Sequence, residues 1–322
     1  MTKLNDLNAW RIFVSLCRTG SFSDTAADFD IDVSTVSRSI GGLEKALGQD
    51  LFSRNSRPLQ LTQVGERARS HIVPLLQMHN EMSSDLQQGS SPLIGKLRLS
   101  LAPGFVTRFM MPLLMEFNVM YPDISFEVGG GGAIQDILQY RSDIAVVTYK
   151  PKDARIVSFS RGRNVYVPVA SPEYIKKYGM PLHPRDLVNH RVLLYSGTVR
   201  NPTKVLVKNG IEEEVVCGNI MKVANILAIR RSVLDGMGLA VDLPLIHCAE
   251  EIAAGKLIPI LPGWVNPPHE CFIITSTSHW RVRRHRIFME WFRDRLKKFF
   301  SQKEDIVRPY WEPPRETVTR EV

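Results

Sequence analysis

The spacing of apolar residues changes character at Gly89-Ser90-Ser91-Pro92, and that change limits what the chain can fold into. Before it, apolar side chains recur at offsets of three and four, the pattern of helices with one buried face. After it, short runs rich in Val, Ile and Leu alternate with helical stretches, as in an α/β domain with parallel strands. A Gly, Ser and Pro break between two such patterns reads as a domain boundary. At 322 residues the chain is long enough for two domains.

In the helical half, Leu7, Trp10, Phe13, Val14 and Cys17 fall on one stripe, and Gly20 ends that helix. Ser23 is placed to cap a short second helix that carries Ala26 and Ala27 and stops near Phe29. Asp30-Ile31-Asp32 forms a turn, and Asp32 caps a third helix over 33–47. Val36, Ile40, Leu43 and Leu47 face its core, so Ser34, Ser37, Arg38 and Lys45 point away. Leu51-Phe52 and Leu59-Gln60-Leu61 predict a hairpin with Arg54 and Arg57 at its tip. Helix, turn, polar and basic helix, then hairpin is the order of a winged helix-turn-helix. The helix pattern alone fits a plain three-helix bundle equally well, with Arg38 merely solvated.

Residues 63–89 predict one long helix. Val64, Ala68, His71 or Ile72, Leu75, Met78, Met82 and Leu86 approximate a heptad seam, and Pro74 predicts a kink. The seam must be covered, either by the same helix of a second copy or by the C-terminal domain.

Beyond the break, strands are expected at 97–101, 124–128, 144–147, 165–170 and 271–276. Helices are expected at 109–120, 134–140, from Pro172, at 220–237 and at 281–300. Gly129-Gly130-Gly131-Gly132 opens a helix whose free N–H groups can hold an anion; a plain flexible loop is the alternative. The last residues have no helical period and read as a mobile tail.

Bulk charge alone does not identify a nucleic-acid-binding end. Residues 1–90 carry 9 Lys and Arg against 10 Asp and Glu, whereas 278–303 carry 9 against 2. The latter reads as the solvated face of the final helix, whose other side carries Ile287, Phe288, Trp291, Phe292 and Leu296. No apolar run approaches the ~18 residues of a membrane span, and the N-terminus lacks the core of a secretory signal. Cys17, Cys217, Cys248 and Cys271 are far apart, against a disulfide framework or a cysteine zinc site. Gly236-Met237-Gly238 fails the dinucleotide motif at Val241. His279 and His285 have metal spacing but basic neighbours. No catalytic residues, cofactor or metal are therefore expected, and the chain is not expected to be an enzyme.

Ordered motifs carry a resemblance. Gly20-Ser21-Phe22, Ala26-Ala27, Val36-Ser37-Arg38-Ser39-Ile40, Leu43-Glu44, Leu47-Gly48, Leu51-Phe52-Ser53-Arg54 and Leu61-Thr62 with Gly65 match the DNA-binding domain of LysR-type transcriptional regulators in order and spacing. Over about 93–300, Gly95-Lys96-Leu97-Arg98-Leu99, Pro112-Leu113-Leu114, Asp143-Ile144-Ala145, Ala170-Ser171-Pro172-Glu173-Tyr174 and Asp235-Gly236-Met237-Gly238-Leu239-Ala240 resemble that family's effector domain. The resemblance implies an all-α winged helix-turn-helix at 1–62 and a linker and dimerisation helix at 63–92. It implies an effector domain at 93–300, made of two α/β subdomains like a periplasmic (type 2) solute-binding protein, and a flexible tail at 301–322.

It further implies contacts to an operator in double-stranded DNA from Ser23, Val33, Ser34, Thr35, Ser37, Arg38, Arg54 and Arg57. A small-molecule effector of unknown identity would sit among Pro103, Gly104, Phe105, Gly130, Gly131, Thr148, Tyr149, Ser196 and Thr198. Assembly as a homodimer or homotetramer, contact with RNA polymerase and a cytoplasmic location follow from the same resemblance. A solute-binding protein without a regulatory role and a constitutive DNA-binding protein are the alternatives. The sequence departs from the family pattern at Asp32 and Val33, where a hydroxyl cap and Gln are common, and at Gly41-Gly42. Val33 can offer a base only an apolar contact.

Overall fold

The computed structural model describes residues 3–53, 59–86 and 93–314. The chain divides into two compact units, Met1–Pro92 and Leu93–Val322.

In the first unit Asp6 caps α1 (Leu7–Thr19), its carboxylate accepting from the N–H groups of Asn8 and Ala9 at 3.0 and 3.2 Å. Ala9, Trp10, Ile12, Phe13 and Leu16 form its buried face, while Val14 and Cys17 are half-buried. The face is displaced from the expected stripe because α1 packs against several helices at once. Gly20, at φ 65°, turns the chain so that Ser21 is the extended residue ahead of α2 (Phe22–Phe29). Ser21 is therefore the cap, accepting from the Asp24 N–H at 3.2 Å, and Ser23 is an exposed residue of the first turn rather than the cap.

Asp32 stands at the cap position of α3 (Val33–Leu47), but its carboxylate makes no capping bond. Val36, Ile40 and Leu43 are buried as expected. Leu47 is not: it is 36% exposed. Gly48, at φ 68°, folds the chain back, and buried Leu51 completes the core in its place. The short strands β1 (Phe52–Ser53) and β2 (Gln60–Leu61) pair antiparallel, Phe52 opposite Leu61. The hairpin tip with Arg54 and Arg57 lies outside the described residues.

Helix α4 (Gln63–Leu86) packs on α1 and β2 and buries Ile72, Val73 and Leu76. Ile72 is thus not on an open seam, whereas His71 is exposed and Leu75 is 49% exposed. The side chains of Pro74, Met78, Met82 and Leu86 lie outside the described residues.

The second unit begins with β3 (Gly95–Ser100). A helical run over 103–120 follows: α5 (Pro103–Phe105), a π-turn at Val106–Met110 and α6 (Met111–Met120). It starts six residues before the expected 109, with Pro103 in its first turn. Next come β4 (Ile124–Gly129), α7 (Ile134–Leu138), β5 (Ile144–Val147) and β6 (Ile156–Asn164). The chain then crosses to β7 (Tyr166–Ala170), α8 (Pro172–Tyr178), β8 (Arg191–Tyr195) and the hairpin of β9 (Val205–Lys208) and β10 (Ile211–Glu214). After β11 (Asn219–Val223), α9 (Ile226–Leu234), β12 (Ala240–Pro244), α10 (Ala249–Ala253) and β13 (Ile258–Pro259), it returns along β14 (His269–Ser276). It ends in α11 (Thr277–Arg281) and α12 (Arg283–Val307).

The first subdomain is a five-stranded sheet in the order β4-β3-β5-β14-β6. Its β3–β4 and β3–β5 pairs are parallel, but β14 runs antiparallel to both neighbours, because β6 and β14 carry the chain out and back. The second subdomain pairs β8 with β11 in parallel and flanks β7 with β12 and β13 in antiparallel. The five-stranded sheet is therefore mixed, and the second subdomain keeps a parallel sheet and an antiparallel sheet. The stretch expected as one helix at 220–237 is β11 followed by α9. Asn225 divides them by capping α9, its side chain accepting from Leu227 and Ala228 N–H at 2.9 and 3.3 Å.

The expected mobile tail from 301 is corrected over its described part. Helix α12 continues to Val307, which is fully buried, and Trp311 packs on the second subdomain's core. Arg163 pairs with Glu304 at 2.6 Å and donates to the Pro314 carbonyl at 2.5 Å.

Two helical glycines predict opposite responses. A Cβ on Gly41 meets nothing within 4 Å, so Gly41→Ala should stabilise by up to about 1 kcal/mol. A Cβ on Gly65 would lie 2.1 Å from the Leu51 carbonyl oxygen, so Gly65→Ala should destabilise by roughly 1–3 kcal/mol. Denaturant titration of the full chain checks both; equal responses would contradict this packing.

Candidate functional site

Two surfaces collect the residues expected to carry function, one in each unit. On α3, Ser34, Ser37 and Arg38 are exposed, Val33 is 45% exposed and Thr35 is half-buried. Arg38 lies back along its own helix, its guanidinium donating to the Ser34 carbonyl and the Thr35 hydroxyl, both at 3.2 Å. These bonds are solvent-exposed and easily exchanged, which leaves Arg38 free to extend toward a base or phosphate. The acidic neighbourhood is partly neutralised, since Asp28 pairs with Arg18 and accepts from Ser15 Oγ.

In the second unit a cavity of about 200 Å³ opens between the two subdomains. Pro103, Gly104 and Phe105 line it beyond the carboxyl end of β3, and Thr148 beyond that of β5. The far wall is Tyr195, Ala224, Asn225, Ile226, Pro244 and His247. Arg161 and Asn164, on the crossover strand β6, complete the lining. Strand ends and their loops are where α/β sheets present ligand sites.

The walls touch at Gly104, where a Cβ would lie 2.4 Å from Ile226 Cγ2. Only glycine lets the subdomains approach this closely. A second bridge is Thr148 Oγ1 donating to the Val199 carbonyl at 3.0 Å. The His247 carbonyl accepts from Arg108 and Arg230, at 3.0 and 2.8 Å, and both guanidinium groups also pair with Glu251. Burial, with Arg108 and Arg230 nearby, pushes the His247 imidazole down to about 3, so it is neutral at physiological pH. Arg200 holds Asp242 at 2.7 Å and lies over the rings of Tyr166 and Tyr195.

Comparison with known proteins decides the family. Residues 7–66 match the model of the bacterial regulatory helix-turn-helix protein, lysR family, and residues 90–297 match the LysR substrate binding domain. The chain belongs to the LysR family of transcriptional regulators. It is 27% identical to the Escherichia coli HTH-type transcriptional regulator YhjC, over 92% of this chain and 100% of that one. Among solved structures it is similar to CrgA, a LysR-type transcriptional regulator from Neisseria meningitidis. That match has 25% identity, a TM-score of 0.57, and covers 90% and 98% of the two chains. A full-length OxyR variant from Pseudomonas aeruginosa shares the fold at 16% identity, with a TM-score of 0.68 over 97% and 98%. The chain is thus a DNA-binding transcription regulator with a small-molecule-binding domain.

Within this LysR-family effector domain, the expected cleft residues separate into three groups. Pro103, Gly104, Phe105 and Thr148 line the cavity. Tyr149 and Thr198 line a broader polar groove beside it, and Gly131 faces Thr198, its Cβ position 3.9 Å from the hydroxyl oxygen. Gly130 and Ser196 line neither. Gly130, at φ 70°, has its Cβ direction filled by Ser100 Oγ and Asp136, so a side chain there would disrupt that pair rather than block the cavity mouth. The glycine loop is not an open anion cradle, because Ser100 Oγ already accepts from the Gly132 N–H at 3.0 Å.

The lining residues that the sequence reading missed include Arg161, Asn164, Tyr195, Asn225, Ile226 and His247. One signal was present: Gly162 between two arginines, in a run of strand-forming residues, marks a bulge. Among the described residues no cluster could hold a metal ion. His279 and His285 do converge on buried Asp143, but Arg98 already donates to that carboxylate at 2.6 Å, and the Asp143 carboxyl sits well below its usual range. The Cys217 thiol is pushed up to about 11 by burial, which suppresses the reactive thiolate.

His247 and His279, both pushed down to about 3 from an ordinary 6.5, make stability depend on pH. Between these values the unfolded chain binds more protons than the folded one. This contribution is therefore full above pH 6.5 and falls as pH drops toward 3. Calorimetric Tm should decline from pH 7 to 5, and His247→Gln should flatten part of that slope. A Tm independent of pH over this range would contradict the buried neutral state.

Proposed function

We propose that the inter-subdomain cavity is the effector site of this regulator, and that its occupancy changes how the protein binds its operator. The carrying observation is the cavity of about 200 Å³ at the strand ends, bridged by Gly104 and Thr148. The DNA-contacting residues are proposed as Ser34, Ser37 and Arg38 with Val33, Thr35, Ser23, Arg54 and Arg57. We divide the chain into 1–62, 63–92, an effector domain at 93–300 and a tail at 301–322; the break at 92/93 is supported by the two compact units. We read the chain as a cytoplasmic, non-enzymatic regulator that contacts RNA polymerase and acts as a homodimer or homotetramer. No helix among the described residues is long and apolar enough to cross a membrane.

Regulation then follows from linkage. The effector acts only through unequal affinity for two arrangements of the oligomer, and DNA binding must alter effector affinity by the same factor. Capture of genomic fragments by the full protein, followed by titration with candidate metabolites, tests the reading. Operator affinity that no small molecule alters would leave a constitutive DNA-binding protein.

Arg38→Ala should weaken operator binding by about 1–3 kcal/mol if Arg38 reads a guanine, with the fold unchanged. Fluorescence anisotropy measures this, and wild-type affinity in the variant would remove Arg38 from the interface. Leu75 is exposed on α4, as a dimer seam requires. Leu75→Glu should shift the sedimenting species toward monomer, because an unpaired charge in an apolar seam is costly. A monomeric parent protein would refute the seam.

A further inference from the structure

Arg161 lacks what the other buried cations of this unit have. Its residue is 5% exposed, and its Nε and Nη1 atoms have no hydrogen-bond partner among the described residues. Arg98, Arg163 and Arg200 each hold a carboxylate, on Asp143, Glu304 and Asp242. The Arg161 guanidinium instead lies 4.0 Å over the Phe300 ring and beside the thiol of Cys271, which burial keeps protonated. A buried cation with no counter-ion is costly, so such a group implies a partner absent from the protein itself.

The backbone aims this charge. Cys271 pairs with Gly162 and Phe272 with Ser160, which leaves Arg161 as the extra residue of a β-bulge. Bulges re-aim side chains and recur beside binding sites. Here the bulged residue lines the inter-subdomain cavity, together with Asn164 and His247, whose Oδ1 and Nδ1 atoms also lack partners among the described residues. Beside it Arg200 is neutralised by Asp242 and His247 is uncharged, which leaves Arg161 as a positive charge in the cavity wall with no counter-ion among the described residues.

We infer that the effector is a small organic monocarboxylic acid, its carboxylate bound by Arg161 and its apolar body held between Phe105, Val146, Ile226 and Ile246. This rests on the cavity being the effector site. A hydrogen bond from a guanidinium to a carboxylate is charge-assisted, and is strongest away from water. An apolar cavity of about 150 Å³ accepts a benzene ring, so about 200 Å³ suits a ring-sized or short branched acid. A dianion would leave one negative charge unpaired in the same space.

The test is calorimetric titration of the full-length protein with benzoate, cyclohexanecarboxylate and isovalerate, each beside its neutral amide, and with inorganic phosphate. At least one acid should bind with its amide tenfold or more weaker, and phosphate should neither bind nor compete. Arg161→Met should lose that discrimination, while its Tm without ligand equals or exceeds the parent's, since an unpaired buried charge has been removed. Arg161→Lys should retain part of the preference for the acid. Acid and amide of equal affinity, no binding by any of the three acids, or an Arg161→Met variant that keeps the acid preference would each overturn the inference. So would a ligand-free Tm that falls in Arg161→Met, the mark of a merely structural arginine. If only neutral compounds or phosphate bind and shift operator affinity, this inference falls and the sensor reading stands. If the acids bind as expected and operator affinity does not move, the reverse holds.

Discussion

One helix is packed into the cores of both subdomains, and the geometry of the second unit depends on it. Along α12, Phe288, Phe292, Leu296 and Phe300 are buried in the core of the first subdomain, while Val307 is buried in that of the second. Each large apolar side chain buried this way contributes roughly 1.5–3 kcal/mol. The two crossover strands link the subdomains covalently, and α12 restricts the motion those links would allow. The residues past the helix reinforce it through Trp311 and the Arg163–Glu304 pair. The relative placement of Gly104 and Ile226, and with it the size of the cavity, follows from this restraint.

Buried charge separates structural from ligand-binding roles. Asp143 is surrounded by Arg98, His279 and His285, and Asp242 by Arg200 and Thr203, so each carboxylate is held by donors the protein supplies. Such clusters fix strands and loops in place, although their net stabilisation is small once desolvation is counted. Arg161 rests on Phe300 of α12 with two nitrogens unpartnered among the described residues. The helix that sets the cleft therefore also supports the group that gives the cleft its charge preference.

The sequence by itself determined the two-unit plan, because hydrophobic period and glycine stops are local: Val36, Ile40 and Leu43 are buried on α3, and β4, β5 and α3 fall where their patterns place them. Gly104 and Thr148 were legible for the same reason, since loops after strands of an α/β domain face the ligand site. The sequence could not show which residues come from the other wall. Asn225, Ile226 and His247 reach the cavity only because β11 and β12 pack beside β8, at separations that no local pattern encodes. Tertiary structure also decided Leu47, displaced from the core by Leu51, and Gly130, whose Cβ direction Ser100 and Asp136 occupy. Above all it decided Arg161: Gly162 marks a bulge in the sequence, but not which neighbouring side chain the bulge places at the cavity. Only the shift in pairing between β6 and β14 places Arg161 in the cavity wall, without a counter-ion among the described residues, because strand register depends on pairing partners that lie more than a hundred residues away.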